Sequence, residues 1–66
     1  MQLTVNGTRT ELAEDTTVAT LVAQRADSDH RVAVAVNSEV VPRSAWTTTP
    51  LSNGDSVEVL TAVAGG

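Results

Sequence analysis

The residues that could do chemistry lie where the sequence closes, at Gly65-Gly66. A terminal carboxylate is a poor electrophile, because resonance stabilises it and oxide is a poor leaving group. Adenylation with ATP turns it into a mixed anhydride. A sulfur nucleophile can then attack and leave a thiocarboxylate, a protein-bound sulfur that can be delivered without releasing free sulfide. Such a carrier needs a terminal residue without bulk and a tail thin enough to thread into another enzyme's active site. Glycine has no Cβ and a wide φ/ψ range, so it meets both needs. Residues Ala62, Val63, Ala64 and Gly65 make the approach to Gly66 thin, with only Val63 adding bulk. Small residues at a frayed terminus are also common. The setting of the tail therefore decides its meaning.

Elsewhere the chain is poor in reactive groups. It has no Cys and a single His, so no disulfide can form and no Ser-His-Asp set is credible. His30 reads as a loop residue. The acids Glu11, Glu14, Asp15, Asp27 and Asp29 read as solvated, since their spacing matches no calcium loop. The expectation is a protein that other enzymes act on, with no catalytic residue, metal or bound cofactor of its own.

The chain has 66 residues, enough for one small domain. A domain of this size buries only about 60% of the surface its unfolded chain exposes, so the core must be aliphatic and economical. Eight acids against four arginines give a net charge of −4, and there is no lysine. That balance argues against a nucleic-acid binder and suits a partner with a basic docking surface. The longest apolar run, Val32 to Val36, falls far short of a membrane span. With no signal-peptide pattern at Met1-Gln2-Leu3-Thr4, the expected location is the cytoplasm.

The elements that must position the tail follow from periodicity. Leu3 and Val5 alternate with polar residues, as in a half-buried strand. Asn6-Gly7 is a strong hairpin signal, and Thr8 to Leu12 reads as the returning strand. Thr16 or Thr17 can cap a helix from Val18 to Arg25, whose Val18, Leu21 and Val22 share one face. At about 12 Å that helix is too short to stand alone and must pack on a sheet. Asp27-Ser28-Asp29 ends it. In Val32 to Val36 the valines should face the helix and Ala33 and Ala35 the other side. Asn37-Ser38 turns the chain into a short strand, Glu39 to Val41, which either stops at Pro42 or lies at a sheet edge. One helical turn is expected around Ser44-Ala45-Trp46, a turn at Leu51 to Asp55, and a last strand from Ser56 to Thr61.

The order is β-β-α-β-β-β, an α+β chain with one main helix on a mixed sheet of four to five strands. That is the order of the ubiquitin-like β-grasp fold, in which the first and last strands run parallel at the sheet's centre. Residues 1–61 would form the domain and residues 62–66 a flexible tail leaving its middle. The sheet face opposite the helix would carry Ala33, Ala35 and Leu60, with Val41 beside them, as a small apolar partner surface. Trp46, the only aromatic residue, is either an anchor for that partner or a cover for the core.

The segment Val32-Ala33-Val34-Ala35-Val36-Asn37-Ser38-Glu39-Val40-Val41-Pro42-Arg43-Ser44-Ala45-Trp46 resembles the middle of the ThiS sulfur carriers of thiamine biosynthesis. So do Pro50 to Val59, the opening Leu3-Thr4-Val5-Asn6-Gly7 and the closing Val63-Ala64-Gly65-Gly66. The resemblance implies that a ThiF-type adenylyltransferase, using ATP, activates Gly66. A persulfide charged by a cysteine desulfurase would supply the sulfur. The thiocarboxylate would then serve a ThiG-type thiazole synthase. Two positions depart from the pattern. Ser38 stands where a residue tolerant of positive φ, often Gly, is expected, which would change the turn type. Ala64 stands where the family is often more polar. Other sulfur donors share the chemistry, including the small subunit of molybdopterin synthase and donors for cysteine or tRNA thiolation. A ubiquitin-like modifier or a binding module with an inert tail would use the same fold differently.

Overall fold

The two Asn-led hairpin turns set the strand frame. In a computed structural model, which describes residues 1–25 and 31–62, Asn6 and Gly7 take φ of 52° and 81°. Positive φ at both central positions is the type I′ signature, whose twist matches that of the strands it joins. The turn links β1 (Gln2–Val5) to β2 (Thr8–Glu11). Asn37 and Ser38 do the same at φ of 51° and 69°, joining β3 (Arg31–Val36) to β4 (Glu39–Val41). Ser38 therefore leaves the turn type unchanged, contrary to expectation, and carries the strain in its own backbone. For a residue with a Cβ that conformation costs about 1–2 kcal/mol, of which glycine's greater entropy loss on folding would return part. Ser38→Gly should stabilise the domain by about 0.5–1 kcal/mol. In a domain this small, thermal unfolding should register that as a midpoint several degrees higher, at about 4–8 °C per kcal/mol.

The last strand, β5 (Ser56–Ala62), completes a five-stranded sheet of order β2-β1-β5-β3-β4. It runs parallel to β1, with Val5 beside Val57, and antiparallel to β3 from Val36↔Val57 to Arg31↔Ala62. First and last strands thus lie side by side in the sheet's interior, as the element order predicts. Three strand boundaries differ by one residue. The second strand stops at Glu11, while Leu12 extends the hairpin through its N–H to the Met1 carbonyl at 2.9 Å. The third starts at Arg31 because the last continues to Ala62 and pairs with it.

The helix, α1 (Val18–Arg25), covers one face. Thr17 is its cap: Oγ1 accepts the Thr20 N–H at 3.3 Å. Thr16 instead donates its hydroxyl to the Ala13 carbonyl at 2.8 Å, so the buried threonine is satisfied. Two main-chain bonds hold the helix start against the loop before β5, Val18 N–H to Thr49 and Leu51 N–H to Thr16, both 3.0 Å. The core follows: Val18, Leu21 and Val22 of the helix meet Leu3, Val5, Val34, Val57 and Val59 of the sheet. Burial of each such side chain contributes about 1.5–3 kcal/mol. Asp27 to His30 lie outside the described residues.

Pro42 ends β4 and opens a 3₁₀ helix over Arg43–Thr48, longer than the single turn expected. Its Trp46 closes the side of the core. The ring is buried, its Nε1–H donates to the Val41 carbonyl at 3.0 Å, and the Arg43 guanidinium lies 5.1 Å from the ring centroid. Its hydrogen bond and burial make Trp46 a cover for the core.

Candidate functional site

The structure describes the root of the tail in detail. Val63, Ala64, Gly65 and Gly66 lie outside the described residues, and Ala62 is the last residue of β5. What leads to them is the most heavily fastened strand in the sheet. On the β3 side, the Asn37 N–H donates to the Ser56 carbonyl at 2.7 Å, and the Asn37 Oδ1 accepts the Ser56 N–H at 3.0 Å. The Asn37 Nδ2 donates to Asp55 at 3.0 Å, and Asp55 also accepts the Ser52 N–H at 2.8 Å. On the β1 side, the Asn6 N–H donates to the Val57 carbonyl at 2.8 Å.

Past that point β1 has turned away, and the Asn6 side chain takes over from the backbone. Its Oδ1 accepts the Val59 N–H at 2.8 Å while its Nδ2 donates to the Val59 carbonyl at 3.1 Å. The carboxamide thereby imitates one residue of a neighbouring strand. Each such bond contributes about 0.5–1.5 kcal/mol net, and together they hold the β1 side of the last strand as far as Val59. Sequence reasoning reads Asn6 and Asn37 as turn residues only. Their side-chain role depends on which strand lies beside each turn, and local sequence does not carry that.

The face away from the helix carries Ala33 opposite Leu60 and Ala35 opposite Val40. Leu60 is 65% exposed and Val40 75% exposed, so the apolar patch expected there exists. Val41 is not part of it. The register sets Val41 opposite Val34, on the helix side, where it is partly buried against the core. Its neighbour Val40 takes the place expected for it, because side chains alternate between faces along a strand. Glu58 pairs with Ala35 and lies exposed beside the patch.

No cluster of three potential metal ligands occurs among the described residues, and none of their helices is long and apolar enough to cross a membrane.

Comparison with known proteins fits this geometry. The ThiS family model matches residues 3–66. The chain belongs to the ThiS family. A crystal structure of the thiamine biosynthesis protein ThiS from Geobacter metallireducens is 37% identical, covers both chains completely and superposes with a TM-score of 0.81. An NMR solution structure of a thiamine biosynthesis protein from the same organism is 38% identical, with a TM-score of 0.80 over 100% of this chain and 88% of that one. The ThiS β-grasp fold is therefore shared. A thiazole synthase from Paramagnetospirillum magneticum is 30% identical across all 66 residues, and the chain spans 20% of that protein's length.

Proposed function

We propose that this ThiS chain carries sulfur on the carboxylate of Gly66 for the thiazole of thiamine. Membership of the family through Gly66 supports the reading most directly, since the match takes in the reactive terminus itself. The fold supports it physically: an interior strand runs to Ala62, and Val63-Ala64-Gly65-Gly66 follows.

In this reading a ThiF-type adenylyltransferase binds the chain and ATP. The Gly66 carboxylate attacks the α-phosphorus, pyrophosphate leaves, and an acyl-adenylate forms. The terminal sulfur of a desulfurase-derived persulfide attacks the carbonyl carbon and AMP departs. A second thiol reduces the resulting acyl disulfide, leaving the thiocarboxylate on Gly66 and a disulfide on the donor. A ThiG-type thiazole synthase then takes the sulfur. A sequence like this one makes up a fifth of a protein named thiazole synthase, which supports that acceptor. The open face formed by Ala33, Ala35, Val40 and Leu60 is the docking surface we assign to these enzymes, with the acidic surface steering encounter. Dependence on ATP supports the cytoplasm as the location of this chemistry.

Intact mass measurement tests the reading. After incubation with a ThiF-type adenylyltransferase, ATP, a cysteine desulfurase and cysteine, the chain should gain the mass of one sulfur-for-oxygen exchange, localised to Gly66. An unchanged mass where a known ThiS is charged would overturn it. Pull-down with a thiazole synthase and with a molybdopterin synthase large subunit then identifies the acceptor.

A further inference from the structure

We propose that the free edge of β5 at Thr61 is a strand-addition site, on which the enzyme that receives the tail lays an extended segment of its own main chain. The proposal rests on the sulfur-carrier reading and names how the tail is gripped.

Backbone groups along a strand alternate between its two neighbours. Ser56 bonds toward the β3 side through Asn37, whereas Val57 and Val59 bond toward the β1 side through Asn6. The same alternation turns the N–H and C=O of Thr61 toward the β1 side. There β1 pairs with β5 only as far as Val57, and the Asn6 carboxamide reaches only to Val59. Among the described residues, none pairs with Thr61 on that side. Its other side is closed by β3, which pairs with β5 through to Ala62.

An interior strand thus becomes a one-sided edge just before the tail. Proteins ordinarily blunt such an edge with charge, proline or a bulge. Leu60-Thr61-Ala62 has no charge and no proline, and its pairing with β3 runs without a bulge. The chemistry of the tail favours the same occupant. Beyond Val63, Ala64-Gly65-Gly66 offers almost no side chain to recognise, so the grip on the tail itself must rest on main-chain hydrogen bonds, the currency of strand addition. Thr61 is the first residue able to supply them.

The test uses ¹⁵N-labelled chain and a ThiF-type adenylyltransferase with ATP. Exchange of the Thr61 amide with solvent should slow by at least about tenfold in the complex, as for an amide newly hydrogen-bonded. Thr61→Pro removes that donor at a position proline tolerates, an edge whose N–H faces solvent. It should keep the thermal midpoint near wild type and weaken binding about tenfold or more. Thr61→Val keeps the donor and should bind within about twofold of wild type. Should the proline variant fail to fold, exchange in the wild-type complex decides alone. Unchanged Thr61 exchange, or a folded proline variant that binds and charges normally, overturns strand addition while the wild type still charges. A wild type that neither binds nor charges overturns the carrier reading as well, and strand addition with it.

Discussion

Gly65→Val should leave the domain folded and reduce charging of Gly66 on the order of 100-fold or more. Position 65 lies beyond the last residue of β5, and the core cluster of the described residues is built from positions 3 to 59. Two branches on Cβ fix χ1 and narrow the backbone's choices, where glycine had neither restriction. Adenylation requires the carboxylate and the α-phosphorus to meet in line at near-contact distance. A displacement of about 1 Å in such geometry costs roughly 100-fold in rate. The measurement is single-turnover charging followed by intact mass, alongside the thermal midpoint. Normal charging by a folded Gly65→Val chain would show that the tail does not thread through a narrow channel. Gly65→Ala should fall between the two.

The second large effect is on folding. Leu21→Ala should cost about 3–4 kcal/mol, within the range for truncating a fully buried leucine. Leu21 has 0% exposure and lies among the core side chains that bind the helix to the sheet. A chain of this length has a total stability of roughly 3–10 kcal/mol. One substitution therefore removes between a third and all of it. Denaturant unfolding should show the midpoint falling while the slope is kept, if the variant still folds at 25 °C. A loss below about 1 kcal/mol would mean that neighbouring side chains collapse into the space, which a β-branched core of valines is poorly able to do.

Much of this architecture is legible in the sequence for definite reasons. Asn6-Gly7 specifies a type I′ turn, and the alternation of Leu3 with Val5 and of Val57 with Val59 specifies which faces are buried. The helix needed only its Thr17 cap and three apolar positions. Apart from the local turn at Ser38, the errors depend on how the elements pair and pack once assembled. Val41 and Val40 are adjacent valines, and only the pairing of β4 with β3 decides which faces the core. The 3₁₀ helix exceeds its expected turn because Trp46 is fastened back to Val41 and buried against the core, which no local pattern announces. Asn6 and Asn37 are visible as turn formers, yet their grip on β5 belongs to the assembled sheet. The reactive Gly66 of the proposal is legible by the opposite logic: its importance lies in having no side chain at all.

The place of β5 in the sheet also has a consequence for biosynthesis. Val57 and Val59 belong to the core, where Val57 pairs with Val5 and Leu3 is a fellow member, both separated from them by almost the whole chain. Such non-local pairing delays folding, because a long loop must close before any contact rewards it. While residues 1–55 emerge from the ribosome, the hairpin and helix have no central strand to pack on. The core can close only after residues 56–59 have been made, and the tail follows directly from them. In the proposed sulfur-carrier reading, an incomplete or misfolded copy has no sheet-held strand from which to present its terminus. The topology then makes folding itself the condition for charging.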